Sequence, residues 1–460
     1  MTKKTKNIIL LVAGIQIILI IGLMASPIIA QAIPGRYRVA LQERSPFLSG
    51  IVEWGIDQVA PVAAIPLPEV TAQAAPVDIS ALIRTEPTAV STTPPTNTPV
   101  PTAVPEEGDA GETNVLPTST PIPAPTNTPT PEPLPRRVVL EGMGVIKQSF
   151  NNCGPANLTQ VLNYYGSDMT QEEVAAYLKP TSEDRNVSPW QIADYVNEHT
   201  LGAFKASAHS GGSLELVKKL VAAGFPVVIE KGYDLPDSGW WGHYLTVFGY
   251  DDDQQIFYSQ DSNLGPWDGS GRTDDYEELE YYWQQFNYTF YVVYQPAQEA
   301  EVQALLGENM VDRFTMWQHV AALAEQETKD TPDYAFAWFN LGSALTELGV
   351  LTGEAAYYQG GAQAYDTARE LGLPPRMLWY QFRPYMAYYK IGRYDDVIAL
   401  ADATLSTQGG RNVEETFWYK GLALESQGLI ADAITSYETA LTVNPNAYYV
   451  EWSLNALTGG

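Results

Sequence analysis

A long proline-rich stretch in the first third of the chain prevents these 460 residues from folding as a single globule. Between Pro87 and Pro135 the sequence repeats Thr-Pro and Pro-x-Pro units, which favour polyproline II and bury little apolar surface. We therefore predict a disordered Thr/Pro-rich stalk over residues 85–136. Fully extended, the part between these two prolines would reach about 150 Å.

An apolar run near the N-terminus, at about residues 8–25, is long enough to cross a bilayer as a helix of about 27 Å. Lysines precede it, so the positive-inside rule keeps the N-terminus in the cytoplasm. We predict a signal anchor within residues 1–32, which makes this a single-pass protein of the cytoplasmic membrane with its C-terminal domains outside. The alternative is a signal peptide cleaved after Ala32, which would make the protein secreted. Residues 33–84 show no sustained period and are predicted to be mostly irregular.

Charge and cysteine content exclude several kinds of partner and site. The chain has 26 Lys plus Arg against 54 Asp plus Glu, a net charge of −28 that would repel the phosphates of nucleic acids. Its single cysteine excludes an intramolecular disulfide and a thiolate-cage metal site built by this chain alone. The acidic runs at residues 251–253 and 274–280 are predicted to be a turn and a solvated helix face, and the stretch from Asp261 to Gly265 lacks the spacing of an EF-hand calcium loop. We therefore expect no nucleic-acid partner, no cofactor and no metal ligands.

Residues 137–296 show helical patterns followed mainly by strand patterns, which is typical of an α+β domain. The first helix begins near Pro155, and apolar residues follow it at helical spacing. Capping signals predict short helices after Thr170 and after Ser188, and a further helix is predicted near residues 214–223. Strands are predicted at residues 226–230, 244–250, 255–259 and 288–294.

Residues 297–460 are helical and self-similar, with a period of roughly 34 residues. The last copy has aromatic, small and large residues at regular spacings, namely Phe417, Gly421, Leu424, Gly428, Ala433, Tyr437, Ala440 and Pro445. This pattern resembles the tetratricopeptide repeat, which implies an all-α solenoid that binds a peptide or protein partner. An ordinary helical bundle is the alternative. Because each repeat would bury its apolar face on its neighbours, we expect the repeats to fold apart from the preceding domain.

The one cysteine lies where a helix would activate it. Cys153 directly precedes Gly154 and Pro155, so its predicted place is the amino end of a helix, where free N–H groups and the helix dipole favour a thiolate. The alternative is an inert, buried cysteine. Five residues upstream, Gln148 could direct its side-chain amide at the oxyanion that forms when the thiolate attacks a carbonyl.

A cysteine nucleophile of this kind needs a histidine base, and the base needs an acceptor that orients it. Among the four histidines, His243 is the best candidate because it opens an apolar strand beside an expected cleft. A hairpin follows, and a three-residue turn at residues 251–253 would place Asp261 opposite this histidine. A four-residue turn would place Ser262 there, and Asn263 would then be a possible substitute for the aspartate.

Two motifs, QSFNNCGPA around Cys153 and GHYLTVFGY around His243, are followed by Asp261 and resemble those of the bacteriocin-processing cysteine peptidases. These enzymes are papain-like, so the resemblance implies a papain-like fold over residues 137–296. It also implies that the cysteine is the nucleophile, the histidine its general base and the aspartate its orienter. Gln148 would be the oxyanion donor. The chain departs from the family at Ser262, where such proteins often have proline, and it has no transporter membrane domain or ATPase after the peptidase-like part.

Together with the predicted anchor and stalk, the two resemblances lead us to expect a membrane-tethered cysteine peptidase that hydrolyses peptide bonds through a thioester intermediate and carries repeats for a peptide or protein partner. An acyl or amide transferase that uses the same Cys-His site is one alternative, because an amine can release the acyl group instead of water. A non-catalytic scaffold that only holds peptides is another.

Overall fold

The computed structural model describes residues 66–70, 73–84, 133–181, 183–235, 239–310, 312–407 and 409–459. The predicted membrane span, the predicted cleavage site and most of the predicted stalk lie outside these ranges. Within them, no helix combines the length and the apolar character that crossing a bilayer requires. A sheet domain comes first and a series of helices follows it.

The strands of the described residues form one seven-stranded antiparallel sheet. They are β1 (Arg137–Val139), β2 (Lys205–His209), β3 (Val227–Leu235), β4 (Gly239–Asp251), β5 (Ile256–Gln260), β6 (Arg272–Asp275) and β7 (Phe290–Tyr294). Their order across the sheet is β2-β7-β3-β4-β5-β6, and β1 pairs with the C-terminal end of β4. The four predicted strands are confirmed as β3, β4, β5 and β7. The other three are short and carry polar or charged residues, so their sequences lack a clear strand pattern.

The helices of the sheet domain begin where their capping residues predict. The helices before the repeat-like region are α1 (Ile79–Arg84), α2 (Cys153–Tyr164), α3 (Gln171–Leu178), α4 (Pro189–His199), α5 (Leu214–Ala222) and α6 (Tyr276–Gln284). At the start of α3, the Glu173 N–H donates to the Thr170 hydroxyl and the Thr170 N–H donates back to the Glu173 carboxylate. The Gln191 N–H donates to the Ser188 hydroxyl at the start of α4. These bonds satisfy N–H groups that have no partner within the helix.

Alternate residues of the sheet face two different cores. On β3, Val227 and Ile229 pack in the core that contains α5 and α6, whereas Val228 packs in the core that contains α2 and α4. This alternation follows from the two-residue period of a strand. The sheet is therefore covered on both faces, and α2 lies on the face opposite α5.

The C-terminal region is helical throughout its described residues. Its α-helices are α7 (Glu299–Leu306), α8 (Arg313–Asp330), α9 (Ala335–Thr352), α10 (Ala355–Glu370), α11 (Arg383–Lys390), α12 (Tyr394–Leu405), α13 (Glu414–Ser426), α14 (Ile430–Val443) and α15 (Tyr448–Thr458). A glycine and a tyrosine meet in the same way in two helix pairs. A Cβ at Gly342 of α9 would lie 2.7 Å from the ring of Tyr365 of α10, and a Cβ at Gly421 of α13 would lie 2.4 Å from the ring of Tyr437 of α14. The recurrence is what a repeat predicts, and the tetratricopeptide assignment itself stays a prediction.

The prediction that these helices bury their apolar faces only on one another is wrong. Trp317 of α8 and Leu345 of α9 belong to the same buried cluster as Trp283 of α6 and Val292 of β7. All four side chains are almost completely inaccessible to solvent. The face of the sheet that carries Val292 is thus covered by α8 and α9 as well as by α5 and α6, because a buried apolar sheet face needs an apolar layer against it. The sheet and the helical region share one core.

A short segment before the proline-rich stretch packs on the helical region. Residues 66–70 and 73–84 lie against it, and α1 contacts α8 and α10. Side chains of α10 bind main-chain groups of this segment: Ala74 N–H to Asp366 Oδ2 (3.2 Å), Val77 N–H to Gln363 Oε1 (3.2 Å), and Arg369 Nη2 to the carbonyls of Pro68 (2.7 Å) and Glu69 (3.0 Å). On the other side of the proline-rich stretch, Tyr250 of β4 donates to the Pro135 carbonyl at 2.7 Å. The stretch between them therefore joins two parts of the same folded body.

Cutting the chain within residues 85–132 is expected to leave the N-terminal fragment attached, because residues 66–70 and 73–84 are held by hydrogen bonds to α10 and by apolar contacts with the helical region. Limited proteolysis followed by size-exclusion chromatography would show both fragments in one peak. Leu82→Asp should weaken the attachment, since this leucine packs in the shared core. Separation of the wild-type fragments under native conditions would contradict the expectation.

Candidate active site

The single cysteine occupies the first turn of α2. Cys153 is the first helical residue, and Pro155 lies in the same turn, where a missing N–H costs nothing. The next residues of α2, from Gly154 to Leu162, are all buried, so the helix is fixed between the sheet and its neighbours. This fixes the thiol at the positive end of the helix dipole, as the sequence predicts.

A histidine and an aspartate lie in line with the thiol. His243 on β4 lines the same cavity as Cys153 and is close enough for the two side chains to shift each other's pKa. Its Nε2 atom lies 3.0 Å from Asp261 Oδ1, so Nδ1 is the nitrogen left for the sulfur. The histidine is 5% exposed and the aspartate 2%, so water competes little for this contact. The geometry brings together three of the four residues predicted to form the site.

The turn that was expected to set this contact has a different length. A three-residue turn would pair Tyr250 with Gln254, but Tyr250 pairs with Phe257, and residues 252–255 form a four-residue turn. A bulge between Val247 and Gly249 shifts the pairing once more. The predicted register is therefore wrong by three residues at Tyr250, because the turn begins one residue later and is one residue longer than expected, and the bulge reduces the shift to two residues at Val247.

Asp261 reaches the histidine because the chain leaves the sheet at Gln260, the last residue of β5. Beyond this point the aspartate closes a tight turn. The N–H groups of Asn263 and Leu264 both donate to its Oδ1 atom at 2.8 Å. Arg272 contacts its Oδ2 atom at 3.3 Å. Asn263, the predicted substitute, is exposed and directs its side chain to the Tyr233 hydroxyl at 3.4 Å instead.

The electrostatics of the three groups favour a thiolate beside an imidazolium. Burial raises the pKa of Cys153, but the hydrogen bond and charge of His243, with a contribution from Lys179, lower that pKa below its usual value. Burial lowers the pKa of His243, but Asp261 and the cysteine raise it to about 9. Although burial raises the pKa of Asp261, the histidine and the backbone donors hold it well below its usual range, so this carboxylate stays charged.

Gln148 is held beside the turn that carries the aspartate. Its Oε1 atom accepts from the Ser262 hydroxyl at 2.9 Å, and its backbone N–H donates to the Ser262 carbonyl at 2.9 Å. The amide oxygen is thereby occupied, which leaves the amide nitrogen as the free end of the side chain. Ser262 thus has a structural use here that proline, which has no hydroxyl to donate, would not have.

A buried polar residue that the sequence analysis did not single out connects these parts. The Asn157 side-chain nitrogen donates to the carbonyls of Cys153 at 2.8 Å and Tyr244 at 3.1 Å, and to the Ser262 hydroxyl at 3.2 Å. Its oxygen accepts from Thr246 at 2.6 Å. Asn157 is fully buried one turn after the cysteine. A polar residue inside the apolar stripe of α2 is the feature of the sequence that could have identified it, because buried polar groups need hydrogen-bond partners.

A cavity of about 270 Å³ lies beside the thiol. It is lined by Asn151, Cys153, Gly154, Lys179, Arg185, Asn186, Val187, Glu230, Gly242, His243, Tyr244 and Tyr380. Glu230 is 2% exposed, and its Oε2 atom has no hydrogen-bond partner among the described residues. Burial raises the pKa of this carboxyl well above its usual value, only partly opposed by Arg383, so it presents a neutral carboxyl to the cavity. Within the described part of the chain, no group of histidine, cysteine or acidic residues could hold a metal ion.

Comparison with known proteins gives matches over about a third of the chain. Residues 141–291 match the Peptidase_C39 like family. A crystal structure from Bacillus anthracis, described as a C39-like peptidase, is 18% identical, covers 35% of this chain and 98% of its own, and has a TM-score of 0.28. No curated protein matches the chain. The family match indicates a domain of the cysteine-peptidase type, and the central sheet with its helices is consistent with a papain-like fold.

Proposed function

We propose that residues 137–296 are a cysteine peptidase domain that hydrolyses peptide bonds. The observation that supports this most is the chain of contacts from the thiol at the start of α2 through His243 to the buried carboxylate of Asp261. A buried cysteine without a chemical role would need neither a charged histidine nor a carboxylate behind it. The family match over residues 141–291 supports the same reaction class.

In the proposed reaction, the Cys153 thiolate attacks the carbonyl carbon of the scissile bond and forms a tetrahedral oxyanion. The Gln148 amide and the N–H groups at the start of α2 are the donors proposed to stabilise the oxyanion. His243 then gives its proton to the leaving amine, and a thioester remains on the cysteine. Water, deprotonated by the same histidine, attacks the thioester, releases the acid and restores the thiolate beside the protonated histidine. Asp261 holds the ring and stabilises its charged form throughout.

We also propose that this domain is held outside the cytoplasmic membrane by the N-terminal apolar segment, and that the C-terminal helices bind a protein partner. The apolar run at about residues 8–25 and the lysines before it support the first part. The recurring glycine-tyrosine contacts of α9–α10 and α13–α14 support a repeat architecture. Membrane fractionation of the full-length protein would test the membrane anchor. Affinity capture of protein partners would test the role of the C-terminal helices, with Gly421→Leu as the control that disturbs the contact between α13 and α14.

The reaction class is tested by incubating the purified protein with peptide mixtures and following new N-termini by mass spectrometry. Cys153→Ala is the control, since it removes the nucleophile. Hydrolysis by the wild type alone supports the proposal. If an added amine appears in the product instead of water, the enzyme is a transferase, because the same acyl-enzyme has been released by the amine. Peptide binding without any turnover would instead favour the scaffold function.

The dependence of kcat/KM on pH should be bell-shaped. As pH falls through the lowered pKa of Cys153, the thiolate is protonated and the nucleophile is lost. As pH rises through about 9, His243 loses the proton that the leaving amine needs. Alkylation by iodoacetamide needs only the thiolate. The rate of alkylation should therefore fall at low pH, as kcat/KM does, but should not fall at high pH. An acid limb near the pKa of a free thiol, about 8.5, would contradict the expectation.

Ser262 is expected to position the proposed oxyanion donor. Ser262→Ala removes the hydroxyl that fixes the Gln148 amide, so kcat should fall by about tenfold with little change in KM. The matched control is Ser270→Ala, because Ser270 is exposed on the following loop and bonds only to local groups. A general loss of stability would lower the melting temperature, which circular dichroism would detect. A normal kcat for Ser262→Ala would mean that the serine does not act through Gln148.

A further inference from the structure

A segment of the helical region lies across the candidate active site. Residues 374–381, here called the tongue, connect α10 to α11 and include a 3-10 turn at Pro375–Trp379. Its side chains Arg376, Trp379 and Tyr380 are 5%, 3% and 9% exposed. They are buried because the tongue is pressed against the sheet domain on both sides of the thiol.

On one side the tongue binds the part of β4 that leads to the catalytic histidine. Tyr380 packs against Gly242 on this strand, and both residues line the cavity beside the thiol. The tyrosine ring is so close that a Cβ at Gly242 would lie 3.0 Å from it. Arg376 donates to the Trp240 carbonyl at 3.2 Å, and its guanidinium lies 4.2 Å from the centre of the Trp241 ring. Gly242 therefore gives the tongue the space to approach the strand.

On the other side the tongue binds the loop before α4. The Asn186 side chain donates to the Tyr380 carbonyl at 3.2 Å. The Arg185 guanidinium lies 5.6 Å from the centre of the Trp379 ring and 5.4 Å from that of Phe150, just before the cysteine. Tyr380 thus contacts both walls of the cavity, and its own ring is part of the lining.

The tongue is anchored as a fixed wall. Met377 and Leu378 are almost completely buried, and they belong to the cluster that contains Tyr385 and Tyr388 of α11. A Cβ at Gly409 would lie 2.3 Å from the Trp379 ring, so this ring is enclosed from behind as well. Moving the tongue away from the thiol would expose these apolar side chains to water, which costs free energy in proportion to the apolar area exposed.

A substrate that passes through the site as an extended chain needs about 3.3 Å of groove for each residue. The tongue interrupts such a groove beside the nucleophile, because Tyr380 lines the cavity next to Cys153. We propose that the tongue restricts this enzyme to short peptides and chain ends, with about one residue on the enclosed side of the scissile bond. This proposal rests on the proposed peptidase function for its substrate class, and Tyr380 is its specificity-determining residue.

The enclosure of the thiol can be measured without any turnover. Cys153 is the only cysteine, so its modification can be followed by mass. N-ethylmaleimide and a maleimide attached to a long polyethylene glycol chain modify thiols by the same reaction. For each reagent, the rate of reaction with Cys153 is divided by its rate of reaction with glutathione, which corrects for the reactivity of the reagent itself. We expect the bulky reagent to be slower by about 100-fold on the protein after this correction, since the thiolate itself is equally reactive towards both. Equal corrected rates would overturn the proposal.

Tyr380→Ala should open the cavity and raise the corrected rate of the bulky reagent by about tenfold or more, with little effect on N-ethylmaleimide. Tyr380→Phe retains the ring and should keep the exclusion. The matched control is Tyr448→Ala on α15, where the tyrosine is 79% exposed. If Tyr380→Ala does not fold, the wild-type comparison decides the matter alone. A folded Tyr380→Ala that still excludes the bulky reagent would overturn the role of this residue.

Peptide length then tests the substrate class. The same scissile bond is placed at the end of a tripeptide and in the middle of a 15-residue peptide. We expect kcat/KM for the bond in the longer peptide to be lower than that for the tripeptide by about 100-fold. Tyr380→Ala should narrow this difference. Equal cleavage of both bonds by the wild type would overturn the restriction. If neither is cleaved although the bulky maleimide is excluded, the enclosure stands and the peptidase function fails.

Discussion

Replacing His243 with alanine is expected to lower kcat for peptide hydrolysis by about 10³-fold or more. The loss has two parts, because the histidine both keeps the Cys153 thiol ionised and supplies the proton for the leaving amine. The variant should also react more slowly with iodoacetamide at pH 7, since the pKa of the thiol rises towards that of a buried cysteine. The fall in kcat is measured with any peptide that the wild type cleaves. The rate of alkylation is measured by mass spectrometry.

The matched control for this variant is His199→Ala. His199 lies at the end of α4 and is partly exposed, with its ring near Tyr177. The His199→Ala variant should therefore have nearly the same kcat and the same alkylation rate as the wild type. A His243→Ala protein that retains wild-type alkylation at pH 7 would show that the helix terminus and Lys179 alone ionise the thiol, and the mechanism would need another proton donor.

Asp261→Asn is expected to lower kcat by about 10²–10⁴-fold while KM changes little. An amide can still contact the imidazole, but it carries no charge to stabilise the imidazolium, so the pKa of His243 should fall from about 9. The alkaline limb of the pH profile should therefore move to lower pH. This shift distinguishes an electrostatic role from a general loss of structure.

Asn263→Ala is the control for the aspartate variant. Asn263 is exposed, and its side chain makes only a 3.4 Å contact with Tyr233, so kcat should stay close to that of the wild type. The backbone N–H that it donates to Asp261 does not depend on its side chain. An inactive Asn263→Ala beside a near-normal Asp261→Asn would reverse the assignment of the orienting residue.

Local signals predicted most of the sheet domain correctly. The caps at Thr170 and Ser188 mark the starts of α3 and α4 because short polar side chains satisfy N–H groups that helices leave free. Pro155 and the apolar stripe behind it predicted α2 and therefore the place of Cys153. The apolar strand that carries His243 was also found, because buried strands are apolar along their whole length.

The contact between His243 and Asp261 was expected for a reason that the structure does not support. The hairpin has a four-residue turn and a bulge, so pairing alone would not bring the two residues together. They meet because the chain turns out of the sheet after Gln260 and the aspartate accepts the N–H groups of its own turn. A turn of this kind is stabilised by its neighbours, so a count along the strands could not predict it.

The sequence by itself determined the chemistry that is available: one cysteine at a helix start, a histidine on a buried strand, and carboxyl and amide groups near them. Only the tertiary structure decided what surrounds this chemistry. The attachment of residues 66–70 and 73–84 to α10 and the tongue that carries Tyr380 join residues more than a hundred positions apart, and the shared core joins helices and strands that are not neighbours along the chain. Such contacts depend on which apolar faces fit together in space, and no local pattern of residues records that fit.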